Sequence, residues 1–319
     1  MSSEAGRVVS VNISEKKGEV KHPVPSITLD GMGVAGDAHA GLWHRQVSLL
    51  DRERIDAFAA AAGIAVSAGM FAENITVEGV DLSRAAILDR FEIGNTLLEV
   101  TQIGKHCHGD GCAVYREVGK CLMPKEGIFC RVVNGGNVQA GDGVKFLPRM
   151  LRIIIVTLSD RAFAGEYEDR SGPWANELLE AFFSGKRWHV QLENVLLPDD
   201  PAPLSSLLAD AIAGGVDAIF TLGGTGIGPR DIAPETVAPF FDKAIPGIME
   251  AIRAKYGAGH PAALLSRSVA GVAGKCQLYT LPGSVRAVEE YLSEILKTFE
   301  HALFMLHGID VHRAAHTVE

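Results

Sequence analysis

The stretch Asp217 to Glu235, Asp-Ala-Ile-Phe-Thr-Leu-Gly-Gly-Thr-Gly-Ile-Gly-Pro-Arg-Asp-Ile-Ala-Pro-Glu, constrains the fold of this chain more than any other. Its apolar run from Ala218 to Leu222 reads as a buried strand that stops at Gly223-Gly224-Thr225-Gly226. Asp231 follows, just ahead of Pro234, a favoured first residue of a helix. A strand, a glycine turn, a carboxylate and a helix start make the arrangement expected at the carboxyl edge of a parallel sheet. Bare backbone amides can approach phosphate oxygens there, and a helix N-terminus favours negative charge. A tight turn that merely needs positive φ would look the same, so the rest of the chain has to decide.

The pattern around this stretch repeats its logic. Residues 152–158 are nearly continuously apolar, as a central parallel strand should be. Helices are expected at 172–183, 202–213, 234–242, 247–256 and 284–305, strands at 188–197 and 217–222, and a strand pair within 262–281. Strands alternating with helices predict a three-layer α/β domain with a mostly parallel sheet. The first half has a different rhythm. Short strands at 7–13, 46–50, 74–78, 86–88 and 95–103, a helix at 51–62 capped by Asp51, and a last strand ending at Phe146 predict a mainly-β barrel. Pro148 and the change of pattern at Arg152 divide the chain into domains 1–148 and 149–307, with a polar tail over 308–319 that is expected to be mobile.

A chain of 319 residues with 47% hydrophobic and 22% charged residues has material for two cores. The net charge of −9, with no basic run, argues against a nucleic-acid partner, while amides and a metal can still hold a nucleotide. No segment reads as a signal peptide or a membrane span, so a cytoplasmic protein is expected. Of five cysteines, four lie between Cys107 and Cys130, which fits reduced thiols better than a disulfide scaffold.

Polar residues cluster after three of the α/β strands: Ser159-Asp160-Arg161, Pro198-Asp199-Asp200, and the opening stretch with Arg230 and Asp231. Carboxyl ends of parallel strands share an edge, so these loops can converge. Two carboxylates beside amide donors would suit Mg²⁺, which takes oxygen ligands and neutralises charge in phosphoryl or nucleotidyl transfer. An arginine can serve the same charge. Each carboxylate also has a local reading. Asp199 could cap the helix at 202–213, Asp160 could pair with Arg161 or cap a turn, and Asp231 could cap the helix starting at Pro234. Spacing does not separate these readings.

The run Thr221 to Glu235 closely resembles the signature of the Mog/MoaB-type molybdopterin adenylyltransferase family. Ser159-Asp160, Asp169 to Pro173, Leu197 to Asp200, Leu265 to Ser268 and Leu281 to Gly283 fall in the order of that family, over residues 152–307. The resemblance implies a homotrimeric α/β domain that transfers adenylate from Mg·ATP to the terminal phosphate of molybdopterin and releases pyrophosphate. It implies that Asp199 and Asp231 are the essential, Mg²⁺-holding aspartates. Gly223, Gly224, Thr225 and Gly226 would form the ligand loop, with Ser159, Asp160, Arg230, Ser266, Pro282 and Gly283 around it. Ala233 stands where threonine is usual, and Ser284-Val285 follow the Pro-Gly turn in place of the commoner Asn-Pro or Ser-Pro.

In the first half, Cys107 lies between two histidines and close to Lys105, surroundings that favour the nucleophilic, metal-binding thiolate. Structural zinc is a rival, although the spacings of Cys107, Cys112, Cys121 and Cys130 match no common paired-ligand pattern. Cys121 and Cys130 could be small buried apolar residues. Residues 31–41, Arg45 to Leu50, Phe71 to Ile75, Thr101 to Cys107 and Met123 to Gly127 resemble a MOSC (molybdenum cofactor sulfurase C-terminal) domain, over about 6–147. That resemblance implies a β-barrel that binds molybdenum cofactor or carries sulfur through Cys107, with Asp37, His39, Arg45 and Cys112 nearby.

Together the halves predict a bifunctional protein of molybdenum cofactor biosynthesis that hands its product to a molybdenum-insertion protein or to molybdoenzymes. One alternative is a non-catalytic cofactor carrier or storage protein. Another is a reductase-type module acting on hydroxylated substrates, which would need a redox partner.

Overall fold

The alternation in the first half closes into a ring. The computed structural model describes residues 5–106 and 121–310, and the chain divides into two compact units, the first running to Arg149 and the second spanning Met150–Ile309. The first unit contains β1 (Ala5–Ile13), β2 (His22–Val24), β3 (Ser26–Asp30), β4 (Gly33–Val34), β5 (Val47–Asp51), β6 (Ile75–Glu78), β7 (Arg90–Ile93), β8 (Thr96–Ile103), β9 (Ile128–Asn134), β10 (Gly136–Gln139) and β11 (Gly143–Leu147). Seven of them pair in the order β11-β7-β8-β9-β5-β6-β1, and β1 pairs back to β11, which closes the barrel. β2 extends β1, and β10-β3-β4 form a smaller sheet.

Side chains of period two fill the interior. In β7, Phe91 and Ile93 are buried while Arg90 and Glu92 are exposed. Phe91 sits directly opposite Phe146 of β11, with ring centroids 5.3 Å apart. Asp51 ends β5 and caps α1 (Arg52–Ala62), its carboxylate accepting from the N–H of Arg54 at 2.8 Å. The run 86–88 is not a strand. Leu88 has φ of 69°, and the buried Asp89 carboxylate gathers the N–H groups of Ala86 and Arg149 into a loop instead. A one-turn helix, α2 (Met123–Glu126), precedes β9.

The second unit is an α/β domain. Its strands are β12 (Met150–Leu158), β13 (His189–Leu197), β14 (Ala218–Leu222), β15 (Lys243–Ala244), β16 (Ala270–Ala273) and β17 (Cys276–Leu281), in the order β13-β12-β14-β17-β16-β15. The four from β13 to β17 are parallel, and β16 runs antiparallel to both of its neighbours. The helices are α3 (Asp160–Phe163), α4 (Ser171–Phe183), α5 (Pro201–Ala213), α6 (Ala233–Val237), α7 (Pro246–Gly257) and α8 (Val285–Leu306). The region expected as one helix over 234–242 is the short α6 followed by a tighter turn over 238–240, after which the chain enters β15.

Alternation along β12 sets the layers. Ile153 and Ile155 pack with Leu179, Phe299 and Leu292 on one face, while Ile154 and Val156 pack with Leu204, Leu208 and Val237 on the other. The buried stripe Val288, Leu292, Ile295, Phe299 and Leu303 recurs at helical spacing along α8, which anchors this long helix across the sheet. In the pairing register Leu158 is opposite Leu197, Thr157 is opposite Leu222, and Leu222 is opposite Leu281. The loops after β12, β13, β14 and β17 therefore leave the sheet at one edge.

Candidate functional site

Backbone geometry at that edge demands glycine. Gly223 has φ of +113°, and a Cβ there would lie 2.4 Å from the carbonyl oxygen of Leu158. Gly224 follows with φ of +62° and accepts from the N–H of Ala233 at 3.0 Å, which fixes the start of α6. The buried Ala233 methyl rests where a side chain on Gly224 would reach it at 3.5 Å. The loop continues through Gly226 and Gly228 and folds back on Asp231. The Gly228 N–H donates to Asp231 Oδ2 at 2.7 Å, and a Cβ on Gly226 would come within 2.8 Å of the same oxygen. Asp231 thus lies inside its own loop and does not cap α6, at whose start no side-chain cap is present.

The other two carboxylates are held as a pair. The N–H of Asp160 donates to Asp199 Oδ2 at 3.0 Å, and the N–H of Asp199 donates to Asp160 Oδ1 at 3.0 Å. Asp160 Oδ2 takes an ion pair from Arg230, so Arg161 is not its partner. Arg161 instead lies over the ring of Tyr167. The cap of α5 is Asp200, which accepts from the Ala202 N–H at 2.8 Å and leaves Asp199 for the loop. Ser159 caps α3 through the Ala162 N–H at 3.3 Å and meets the Tyr167 hydroxyl at 2.8 Å.

A cleft of about 390 Å³ opens beside the glycine loop. Gly224, Thr225, Gly226, Asp231, Ser266, Pro282 and Gly283 line it, together with His260, Arg286 and Tyr291, which sequence reasoning did not single out. Gly283 packs so close to Gly223 that a Cβ there would meet its Cα at 3.2 Å. Ser284 caps α8 at 3.3 Å from the Ala287 N–H, which places the amino end of a 22-residue helix at the cleft. Tyr291 donates to Ser266 at 3.0 Å, and Ser266 pairs with Ser268 at 2.9 Å. Ser159, Asp160, Asp199 and Arg230 stand outside that lining and form the neighbouring group along the same edge. Asp169, from another of the sequence motifs, is structural. It accepts from Thr157 at 2.7 Å and from the first turn of α4, at the N–H of Ser171 and Gly172.

In the barrel, Asp37 is buried and receives four groups: the Ser14 N–H at 3.1 Å, the His39 N–H at 2.9 Å, Asn74 Nδ2 at 3.3 Å and the Lys21 ammonium. Burial alone would raise its pKa, but hydrogen bonds from His39 and Lys21 outweigh that and hold the carboxyl well below the usual range. Burial lowers the Lys21 pKa against the pull of Asp37. Nearby Glu73 has no exposed surface, and burial raises its pKa even though it accepts from the Gly69 N–H and Thr76. Arg45 stacks over Trp43, 4.7 Å from the ring centroid, and its Nε has no partner among the described residues. His44 is buried with neither ring nitrogen bonded among those residues, and burial, with Arg45 adding to it, lowers its pKa to about 4. Cys107 and Cys112 lie outside the described residues. Cys130 is fully buried in the barrel core and its thiol is pushed up by burial, as befits an inert apolar side chain. Among the described residues no three His, Cys, Asp or Glu side chains gather as a metal-binding group.

Residues 154–301 match the family described as "Probable molybdopterin binding domain", and residues 36–145 match the MOSC domain. The molybdopterin adenylyltransferase of Pyrococcus furiosus is 36% identical over 167 residues, which cover 50% of this chain and 95% of that protein. The chain belongs to the molybdopterin-binding domain family. Its first half is a MOSC domain, so both expected fold classes are present in the order expected. Within the family, the Escherichia coli molybdopterin adenylyltransferase is 32% identical and matched over 80% of its length. The molybdenum cofactor biosynthesis bifunctional protein of Chlorobaculum tepidum is 34% identical over 157 residues, and the match spans 49% of this chain and only 49% of that relative. A solved structure, the tungsten cofactor synthesizing protein MoaB from Pyrococcus furiosus, aligns with 50% of this chain and 98% of its own at 34% identity and a TM-score of 0.43.

Proposed function

We propose that the second domain is a molybdopterin adenylyltransferase acting in molybdenum cofactor biosynthesis. The observation that carries this reading is the edge itself, where the Asp160–Asp199 pair and Arg230 stand next to the Asp231 glycine loop and its cleft. Names borne by relatives 32–36% identical over this domain support it. In the reaction, an oxygen of the terminal phosphate of molybdopterin attacks the α-phosphorus of ATP. The bond between the α-phosphorus and the bridging oxygen to the β-phosphate breaks, and pyrophosphate leaves with that oxygen.

We assign a magnesium ion to Asp199 and Asp231. Each spends Oδ2 on a backbone N–H, and its Oδ1 enters no hydrogen bond among the described residues. A bound Mg²⁺ would neutralise phosphate charge as it develops. The glycine loop could offer N–H groups to phosphate, Arg230 offers a cation, and the amino end of α8 favours an anion at the cleft. We assign ATP and molybdopterin to this edge, and to the protein a cytoplasmic location and the homotrimeric state implied by the resemblance.

For the MOSC domain we propose that Cys107 binds, carries or sulfurates the cofactor, with Asp37, His39, Arg45 and Cys112 about it, before handover to a molybdenum-insertion protein or molybdoenzymes. Incubating the protein with molybdopterin and Mg·ATP should give adenylylated molybdopterin and pyrophosphate, and Asp231→Asn should sharply slow the formation of both. No product from folded protein would leave the cofactor-carrier reading in its place, and an unimpaired Asp231→Asn variant would remove Asp231 from the mechanism.

A further inference from the structure

We propose that Arg267 is a positioning residue that sets Asp231. It lies on the chain entering β16, and its backbone N–H donates to the carbonyl of Thr225 at 2.8 Å. Its guanidinium then spans the whole turn. Nε donates to the Gly226 carbonyl at 2.6 Å, Nη2 donates to the Asp231 carbonyl at 2.8 Å, and Nη1 pairs with Glu235 on α6. One planar fork therefore holds both ends of the loop and the helix that follows it.

Apart from the ion pair of Arg230 with Asp160, the loop has little else to hold it. Gly226 and Gly228 have no side chains and Ile227 is 71% exposed. The internal closure consists of two bonds, Gly228 N–H to Asp231 Oδ2 and Asp231 N–H to the Gly228 carbonyl at 3.1 Å. Those bonds fix Asp231 relative to Gly228, and Arg267 fixes the resulting ring relative to the sheet. Arg267 does not line the cleft, whereas Leu265 and Ser266 just before it do. It acts through the loop. Lysine would supply a charge without the fork, so it should restore only part of the effect.

The catalytic consequence rests on the adenylyltransferase reading, and the experiment has an arm that does not. Hydrogen exchange is measured at residues 225–231 in wild type, Arg267→Ala and Arg267→Lys, and adenylylation is measured with molybdopterin and Mg·ATP in the same proteins and in Asp231→Asn and the double variant. Arg267→Ala should exchange faster across the loop and melt at an unchanged temperature. Its kcat should fall about 100-fold, the scale of a misplaced reacting group. KM should change little, Arg267→Lys should be intermediate, and the double variant should be no worse than Asp231→Asn alone. Exchange equal to wild type, or a loss that adds fully to that of Asp231→Asn, overturns the proposal. If the wild type makes no product, the functional reading falls and the exchange arm alone decides the clamp.

Discussion

Asp160 and Asp199 hold each other by exchange, each backbone N–H donating to the other's carboxylate at 3.0 Å. This closes the loops after β12 and β13 against one another and leaves Asp160 a second oxygen for Arg230. Asp160→Ala should therefore disturb Asp199 and Arg230 together. Asp160 is 41% exposed, so stability should change by only about 0.5 kcal/mol. We expect kcat for adenylylation to fall about 100-fold, since two groups lose their fixed positions at once. Steady-state kinetics beside a thermal melt check this, and a variant with wild-type kcat would show that the exchange pair serves only the fold.

Gly223→Ala tests the backbone of the same edge. The substitution combines φ of +113° with a Cβ 2.4 Å from a carbonyl oxygen, and carbonyl oxygens in a packed sheet cannot move aside. The unusual backbone conformation alone costs about 1–3 kcal/mol, and the clash adds to it. Gly215→Ala is the control. Its φ of +74° is also positive but closer to the left-handed helical basin, with nothing within 4 Å, so it should lose only about 1 kcal/mol. Denaturant titration of the two variants should separate strain from collision.

These residues also show where sequence reading reaches its limit. The glycine turn, α8 and the alternation along β12 were legible because burial on both faces of a sheet writes itself into apolar periodicity. Asp199 reads from sequence either as the cap of α5 or as a site carboxylate, and the cap is its neighbour Asp200, whose backbone is extended at φ of −129°. Arg267 was hidden for another reason. Its partners are backbone carbonyls of Gly226 and Asp231, which any sequence would offer, so no residue pattern announces the contact. In the barrel, β2 carries Pro23 and spans three residues, too short for alternation to register. The apolar triplet Ala86-Ile87-Leu88 misled in the opposite sense, because a buried Asp89 holds it as a loop.

Lys21 and Asp37 form an ion pair whose side chains are each 1% exposed. Lys21→Met would leave the carboxylate buried without its cation, a change that typically costs about 3–5 kcal/mol. Asp37→Asn in the same chain should recover part of that loss. The sign with pH follows from the depressed Asp37 value. Its stabilisation is present above the ordinary carboxylate pKa of 3.8 and is lost as pH falls below it. Chemical denaturation of the wild type and the double variant between pH 6 and pH 3 should therefore show the acid sensitivity of the first domain shrinking in the variant.

His44 should govern a second, milder window. Its folded pKa of about 4 lies below the ordinary 6.5, so the unfolded chain binds this proton first. Stability is then complete above about pH 6.5 and declines as pH falls toward 4. The full shift corresponds to about 3 kcal/mol, less wherever solvent reaches the ring. His44→Gln removes the titration while keeping a polar side chain of similar reach. Its unfolding free energy should be flatter than that of wild type between pH 6.5 and pH 4, and parallel curves would mean that His44 is solvated in the folded protein.

Cys107→Ala and Cys112→Ala address the thiol chemistry assigned to the first domain. Protein isolated from cells supplied with molybdate should contain molybdenum and pterin, and Cys107→Ala should lose most of the metal while adenylylation by the second domain continues. Cys112→Ala should keep it if Cys107 alone carries the role. Cys276→Ala is the internal control. Burial pushes that thiol up to about 12, so at neutral pH it stays protonated and holds no metal. Unchanged metal in Cys107→Ala would remove that thiol from the mechanism, and unchanged metal in a variant lacking both Cys107 and Cys112 would leave Arg45, His39 and Asp37 as the groups that bind the cofactor.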